Sequence, residues 1–181
     1  MTVVGAFCSV SGAVRVCPDT LAFFTFFGTT MTQRTYRAAC PEDAAICIEI
    51  RGRTRENAFS AEALLALGIS VQTWCDIIES GAVLGNVCCV DDQVIGYCFA
   101  DAQTGEILVL AVLPEHEGLG VGRALLQRVV DALLERGFHR LFLACSADPA
   151  SRSYGFYRKL GWTPTGERDD AGDDILEHFL R

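Results

Sequence analysis

Residues 112–123, V-L-P-E-H-E-G-L-G-V-G-R, constrain the fold more than any other part of this chain. Upstream, Ile107–Leu113 is an unbroken apolar run, short enough to be a buried strand. Downstream, Val121, Leu125, Val129 and Leu133 recur on one helical face, and Gly137 is placed to end that helix. Gly118, Gly120 and Gly122 leave backbone N–H groups uncovered at the helix N-terminus. There, unsatisfied donors and the helix dipole both favour a phosphate or pyrophosphate. Glycines alone describe a flexible loop equally well; the strand–loop–helix setting is what points to phosphate.

The kind of phosphate ligand follows from the spacing. The loop lacks G-x-x-x-x-G-K-[ST] and its lysine, which argues against a P-loop nucleotidase. It departs from G-x-G-x-x-G as well, because residue 123 is Arg and residue 125 is Leu. No second βαβ unit with a ribose-binding acid follows, so a dinucleotide site is the weaker alternative. Glu117–Gly122 instead satisfies [QR]-x-x-G-x-[GA] at both glycine positions. Beyond the next strand, Leu141–Cys145, residues 152–162 read R-S-Y-G-F-Y-R-K-L-G-W, close to A-x-x-F-Y-x-x-L-G-F/W.

With these two motifs in this order, the chain resembles the GNAT superfamily of acyl-CoA-dependent N-acetyltransferases over residues 37–179. The resemblance implies an α+β, three-layer fold with a mixed central sheet whose central strands splay apart between flanking helices. It implies acetyl-CoA as the acyl-donor cosubstrate, with its pyrophosphate on the loop Glu117, Gly118, Leu119, Gly120, Val121, Gly122 and Arg123. The pantetheine arm would run along Leu110, Ala111, Val112 and Leu113, ahead of Pro114, with Ser151, Tyr154 and Tyr157 completing the cofactor site. One position departs from the family pattern: Glu117 stands where Gln or Arg is usual. A carboxylate repels pyrophosphate unless it points into solvent, leaving Arg123 and the loop amides to carry the binding.

Composition narrows the class further. One domain is expected from 181 residues, half of them apolar, enough to bury a core without covalent staples. A formal net charge of −8 argues against nucleic acid and sits better with a cationic acceptor such as an amine. Nine cysteines without a C-x-x-C, and histidines scattered at 116, 139 and 178, fit neither a disulfide framework nor a metal site. Small buried thiols in a reducing cytoplasm are the expectation, with no metal and no membrane partner. A homodimer is expected from the family.

Residues 1–30 read as an apolar N-terminal extension whose charged side chains are Arg15 and Asp19. Leu21–Phe27 imitates a signal core but lacks a basic leader and is too short to span a membrane. Met31 is expected to be the natural start, opening a GNAT-like domain over 31–181. Within it, Thr35–Ala39 reads as strand and Glu42–Arg53 as helix opened by Pro41. Ser60 and Ser70 cap short helices 61–67 and 71–80, and Gly85–Val90 pairs with Val94–Asp101 about Asp91-Asp92-Gln93. Strand 140–145, helix 151–160 and strands 162–168 and 175–180 complete the chain.

Acyl transfer from a thioester to an amine needs a base for the ammonium, donors for the oxyanion and an acid for the departing thiolate. Tyr157 matches the tyrosine that many family members use as the acid, and a phenol of pKa ~10 suits a thiol of ~8.5. Packing between helix and sheet is the bland alternative; Tyr154 lies on the same helix face. Glu106 opens E-I-L-V-L-A-V, where some relatives carry a glutamate base, and partial burial raises a carboxyl towards neutrality. A solvated carboxylate is its alternative reading, and Glu56 and Asp101 are weaker bases. By the same resemblance, a backbone N–H on the strand Leu110–Leu113 is the expected oxyanion donor. Arg51–Asn57, with Trp74, holds charges able to recognise a carboxylate-bearing amine, although a solvated helix end is the reading favoured by position. Cys145 has no histidine partner and reads as core, so direct attack in a ternary complex is expected, against a non-catalytic acyl-CoA-binding module or a nucleotide-binding regulator.

Overall fold

The computed structural model describes residues 33–56 and 58–180, so the expectations for residues 1–30 and for Met31 lie outside the described residues. The first sheet is entered by β1 (Arg34–Ala38), followed by α1 (Ala44–Arg53), α2 (Ala61–Ala66) and α3 (Val71–Glu79). Then come β2 (Val83–Val90), β3 (Gln93–Asp101), β4 (Ile107–Val112) and α4 (Val121–Glu135). The chain closes with β5 (Arg140–Cys145), α5 (Arg152–Lys159), β6 (Thr163–Arg168) and β7 (Asp174–Phe179). The helix expected from Glu42 begins instead as a 3-10 turn, Pro41–Asp43. The Asp43 carboxylate, accepting from Cys40 N–H and from both Arg37 Nη atoms, anchors that turn. The Asp91-Asp92 turn has φ of 48° and 62°, the left-handed pair that matches the twist of a tight hairpin.

Strands β1-β2-β3-β4 form one antiparallel sheet and β5-β7-β6 another. Among the described residues the two meet at a parallel bridge between Glu106 and Phe142, where Phe142 N–H donates to the Gly105 carbonyl at 3.4 Å. Beyond that bridge β4 and β5 separate, which is the splayed mixed sheet the family resemblance implies.

Register fixes what lies on each face. Tyr36, Cys88, Gly96 and Val112 are aligned across β1 to β4 and share one face. Arg128 of α4 stacks over Tyr36 at 4.0 Å, which puts α4 on that side. Tyr97 and Phe99 point the other way, where Phe99 meets Trp74 of α3 edge-on at 5.2 Å. The stripe Val121, Leu125, Val129 and Leu133 is buried in the core with Leu141, Leu143 and Leu176. Cys47, Cys88, Cys89, Cys98 and Cys145 are buried and free, and burial pushes the Cys145 thiol up, as expected of packing rather than nucleophilic cysteines. Among the described residues no helix is long and apolar enough to cross a membrane.

Candidate active site

The phosphate loop is organised by the end of β4. Leu113 N–H donates to the Ile95 carbonyl at 2.9 Å, the last ladder bond before Pro114 opens a 3-10 turn, Pro114–His116. Gly118 (φ 72°) and Gly120 (φ 80°) then take left-handed conformations that cost an ordinary residue roughly 1–2 kcal/mol. Gly120 is the N-cap of α4 and supplies no side chain to occupy the first N–H groups. A Cβ on Gly122 would come within 3.7 to 3.8 Å of Leu110, Phe156 and Val112, so this glycine faces the gap between β4 and α5. The helix end therefore presents bare donors at the mouth of the β4–β5 cleft, a fit for a pyrophosphate.

Strand β4 offers its own donors to the same cleft. Because Leu113 N–H points to β3, alternation turns Ala111 N–H the same way and aims those of Leu110 and Val112 at the open side. Of the residues expected to follow the pantetheine arm, Leu110 and Val112 thus face the cleft with their backbone. Ala111 and Leu113 are buried beside β3.

Glu117 corrects the sequence reading. Its carboxylate is neither left in solvent nor bare: it accepts from Arg55 Nε at 3.1 Å and from Arg152 Nη1. Arg152 N–H also donates to Glu56 at 2.9 Å, and Arg53 reaches Glu115 at 3.4 Å. The connection after α1 is thereby tied to the phosphate loop and to the start of α5, and the departure from the family residue comes with two guanidinium groups. Nothing in the sequence pairs residues 55 and 152 with 117; sheet closure does. The Arg123 side chain, expected to carry binding, instead borders a separate cavity of about 170 Å³ with Lys159 and His178.

Helix α5 carries the remaining expected residues. Ser151 is its N-cap, accepting from Tyr154 N–H at 3.3 Å and lying 3.2 Å from the Ser153 hydroxyl. Tyr154 is pinned under the Arg158 guanidinium at 3.7 Å, itself held by Asp174 at 2.8 Å. Tyr157 is packed edge-on against Phe156 and Trp162, at 5.0 and 6.1 Å. Burial raises its pKa above the ordinary phenol value, an effect the Arg51 cation opposes. The Glu106 carboxyl is also raised, by burial and then by Asp101. Asp101 and Glu56 are otherwise engaged, Asp101 with Gln103 and Thr104 N–H and Glu56 with α5, which leaves Glu106 as the stronger base candidate.

A second cleft, about 400 Å³ and mostly apolar, opens on the α1–α3 face of β4. A bulge makes it: Phe99 pairs with Val109 and Ala100 with Ile107, so Leu108 has no cross-strand partner. Leu108 and Val109 therefore both line the cleft, opposite Trp74 and Leu64. The extra residue also shifts the alternation, setting Glu106 on the same face as Asp101 and the cleft. Arg51 lines this cleft rather than ending in solvent.

These features match the acetyltransferase (GNAT) family, whose model covers residues 46–162, and the chain belongs to that family. A mycothiol acetyltransferase of Beutenbergia cavernae is 45% identical over 72 residues, 40% of this chain and 24% of the relative. An amino-acid acetyltransferase of Pseudomonas putida is 33% identical over 86 residues, 47% of this chain and 19% of the relative. The chain thus spans about a quarter or less of these curated relatives' length. Among solved structures, the PaiA N-acetyltransferase of Thermoplasma acidophilum in complex with coenzyme A superposes with a TM-score of 0.70 at 21% identity. That match covers 82% of this chain and 99% of the other. YncA of Salmonella typhimurium, with acetyl-CoA, gives 0.63 at 21% identity, covering 82% and 95%. At such identities the likeness is one of fold.

Proposed function

We propose that this chain transfers an acetyl group from acetyl-CoA to a primary amine by direct attack within a ternary complex. The observation that carries this reading is the divergence of β4 from β5 just beyond Glu106, with the uncapped N-terminus of α4 at the opening. Loop amides, with Arg55 and Arg152 close by, hold the pyrophosphate; Leu110 and Val112 pair with the amide-bearing arm. Acetyl-CoA supplies a thioester whose carbonyl carbon is electrophilic.

Glu106 takes a proton from the substrate ammonium, and its raised pKa makes it a better base than an exposed carboxylate. Backbone N–H groups of β4 donate to the carbonyl oxygen as the amine nitrogen bonds to the carbon and negative charge develops there. Tyr157 donates to the sulfur as the carbon–sulfur bond breaks. Its raised pKa keeps the phenol protonated across the neutral range, so the donor is present at every working pH. The nitrogen gives up its second proton as the amide forms, which restores the Tyr157 hydroxyl, and the products are the amide, the free thiol of coenzyme A and the proton taken by Glu106, released to solvent. A cytoplasmic setting and a homodimer belong to this reading as well.

Thermal melting with acetyl-CoA, CoA, ATP and NAD tests it. A ligand at about 100 times its Kd stabilises by about 2.7 kcal/mol, a shift of a few degrees. A saturable shift with acetyl-CoA and CoA is expected; a shift with ATP or NAD in their place would overturn the reading.

A further inference from the structure

Glu117 stands where Gln or Arg is usual, and the way the fold surrounds it gives the substitution a purpose. Its side chain is 18% exposed, whereas the Arg55 and Arg152 side chains that meet it are 59% and 49% exposed. Both guanidiniums converge on one oxygen, Oε2: Arg55 through Nε at 3.1 Å and Arg152 through Nη1. One negative charge thus gathers two positive ones, and the trio keeps a positive charge in excess. Two cations drawn to a single oxygen also repel each other, and a further anion beside them relieves that repulsion.

The donors left over point to the same conclusion. A guanidinium carries five N–H groups in a fixed plane. Arg55 uses Nε and Arg152 uses Nη1 on Glu117, and among the described residues the other N–H groups of both side chains have no acceptor. Their place is the phosphate loop, since Glu117 directly precedes Gly118 and the glycine-bared N-terminus of α4. The segment that carries Arg55 is anchored on either side, by Arg53 on Glu115 at 3.4 Å and by Glu56 on Arg152 N–H at 2.9 Å. Neither Arg55 nor Arg152 lines the apolar cleft on the α1–α3 face, which the acetyl-transfer reading leaves to the acceptor. The anion that suits this pair therefore comes with the donor.

We infer that Glu117 is a positioning residue, holding the Arg55 and Arg152 guanidiniums in place to bind the pyrophosphate of acetyl-CoA together with the loop amides. This rests on the acetyl-transfer reading above. Two cations offset the repulsion between one carboxylate and the pyrophosphate. Arginines already ordered by Glu117 lose less side-chain freedom when the ligand arrives. Gln at this position would remove the repulsion but release both guanidiniums. The inference thus predicts the opposite sign from simple charge repulsion: Gln weakens cofactor binding.

Calorimetric titration of the full chain with CoA, in the absence of acceptor, reads that sign. Glu117→Gln should raise the Kd for CoA by roughly tenfold, the scale of one charge-assisted contact, and Glu117→Asp, which keeps the charge, should recover part of the loss. Arg152→Met should weaken binding by a similar factor in the wild-type background and by clearly less in Glu117→Gln, where the guanidinium is no longer held. Melting of the ligand-free variants should stay close to wild type, because exposed ion pairs contribute little to stability. Equal or tighter CoA binding by Glu117→Gln would overturn the inference. So would losses for Glu117→Gln and Arg152→Met that simply multiply in the double variant, or a lowered ligand-free melt with the Kd unchanged, which is the mark of a role in folding alone. Wild-type protein that binds no CoA strikes the acetyl-transfer reading itself, and this inference falls with it.

Discussion

The proposed donor cleft and the proposed acceptor cleft share strand β4 but are made of different material. The donor cleft is largely backbone: glycine-freed N–H groups at the start of α4 and the open-side N–H groups of Leu110 and Val112. The acceptor cleft is side chains, drawn from α1, α2, α3, β3 and β4. A backbone site is indifferent to most substitutions that keep the chain path, which suits a donor common to many acetyltransferases. A side-chain site changes with each residue, which suits an acceptor that differs from one to the next.

The comparison can be broken most sharply at the residues between the two clefts. Tyr157→Phe should lower kcat by about 10²–10⁴-fold, the usual contribution of a positioned acid, while acetyl-CoA affinity by calorimetry stays unchanged. Weakened cofactor affinity at full kcat would assign Tyr157 to binding instead. Glu106 sharpens the acceptor side through pH. Its carboxylate is the active form and its pKa is raised, so activity should climb with pH through a limb above the ordinary carboxylate value of ~4.3. Glu106→Gln should lower kcat and abolish that limb; a limb that persists in the variant belongs to another group.

A smaller effect is expected at Gly120. Valine there would be forced into a left-handed backbone at a cost of roughly 1–2 kcal/mol, or the loop would refold. Acetyl-CoA affinity should fall several-fold to tenfold or more, and the acceptor KM measured at saturating donor should hold. Unchanged donor affinity would show that side chains, not the loop backbone, carry the site. The smallest change is expected for Ser151→Ala, which removes the α5 cap. Stability should drop by about 1 kcal/mol in denaturant melts, with kcat moved less than by either catalytic substitution.

The elements that carry the proposed donor side were legible because their signals are local. A glycine-alternating loop between an apolar strand and an amphipathic helix specifies a bare helix N-terminus within a dozen residues, and Ser151 and the Tyr157 motif sit on one further helix. The acceptor side was legible as a list of charges near Arg51 and Trp74, with no indication of which would turn inward. Position alone suggested a solvated helix end, and for Arg53 and Arg55 the surface ion pairs agree with it. Arg51 differs because the chain folds back to bond its carbonyl, a contact whose partner, Phe59, carries no sequence signature.

Local pattern alone thus accounts for the element order and the glycine-alternating loop, since helix period, strand alternation and glycine backbone freedom act over a few residues; Tyr157 as candidate proton donor came from the family resemblance of residues 152–162. Tertiary structure decided the rest. Pairing of β3 with β4 created the bulge that puts both Leu108 and Val109 on the apolar cleft and brings Glu106 to its face. Closure of the sheets brought Arg55 and Arg152 onto Glu117, neutralising a charge that looked unfavourable in isolation. Both outcomes depend on contacts between residues far apart in the chain, where register and electrostatic pairing are fixed by packing and not by any neighbour in sequence.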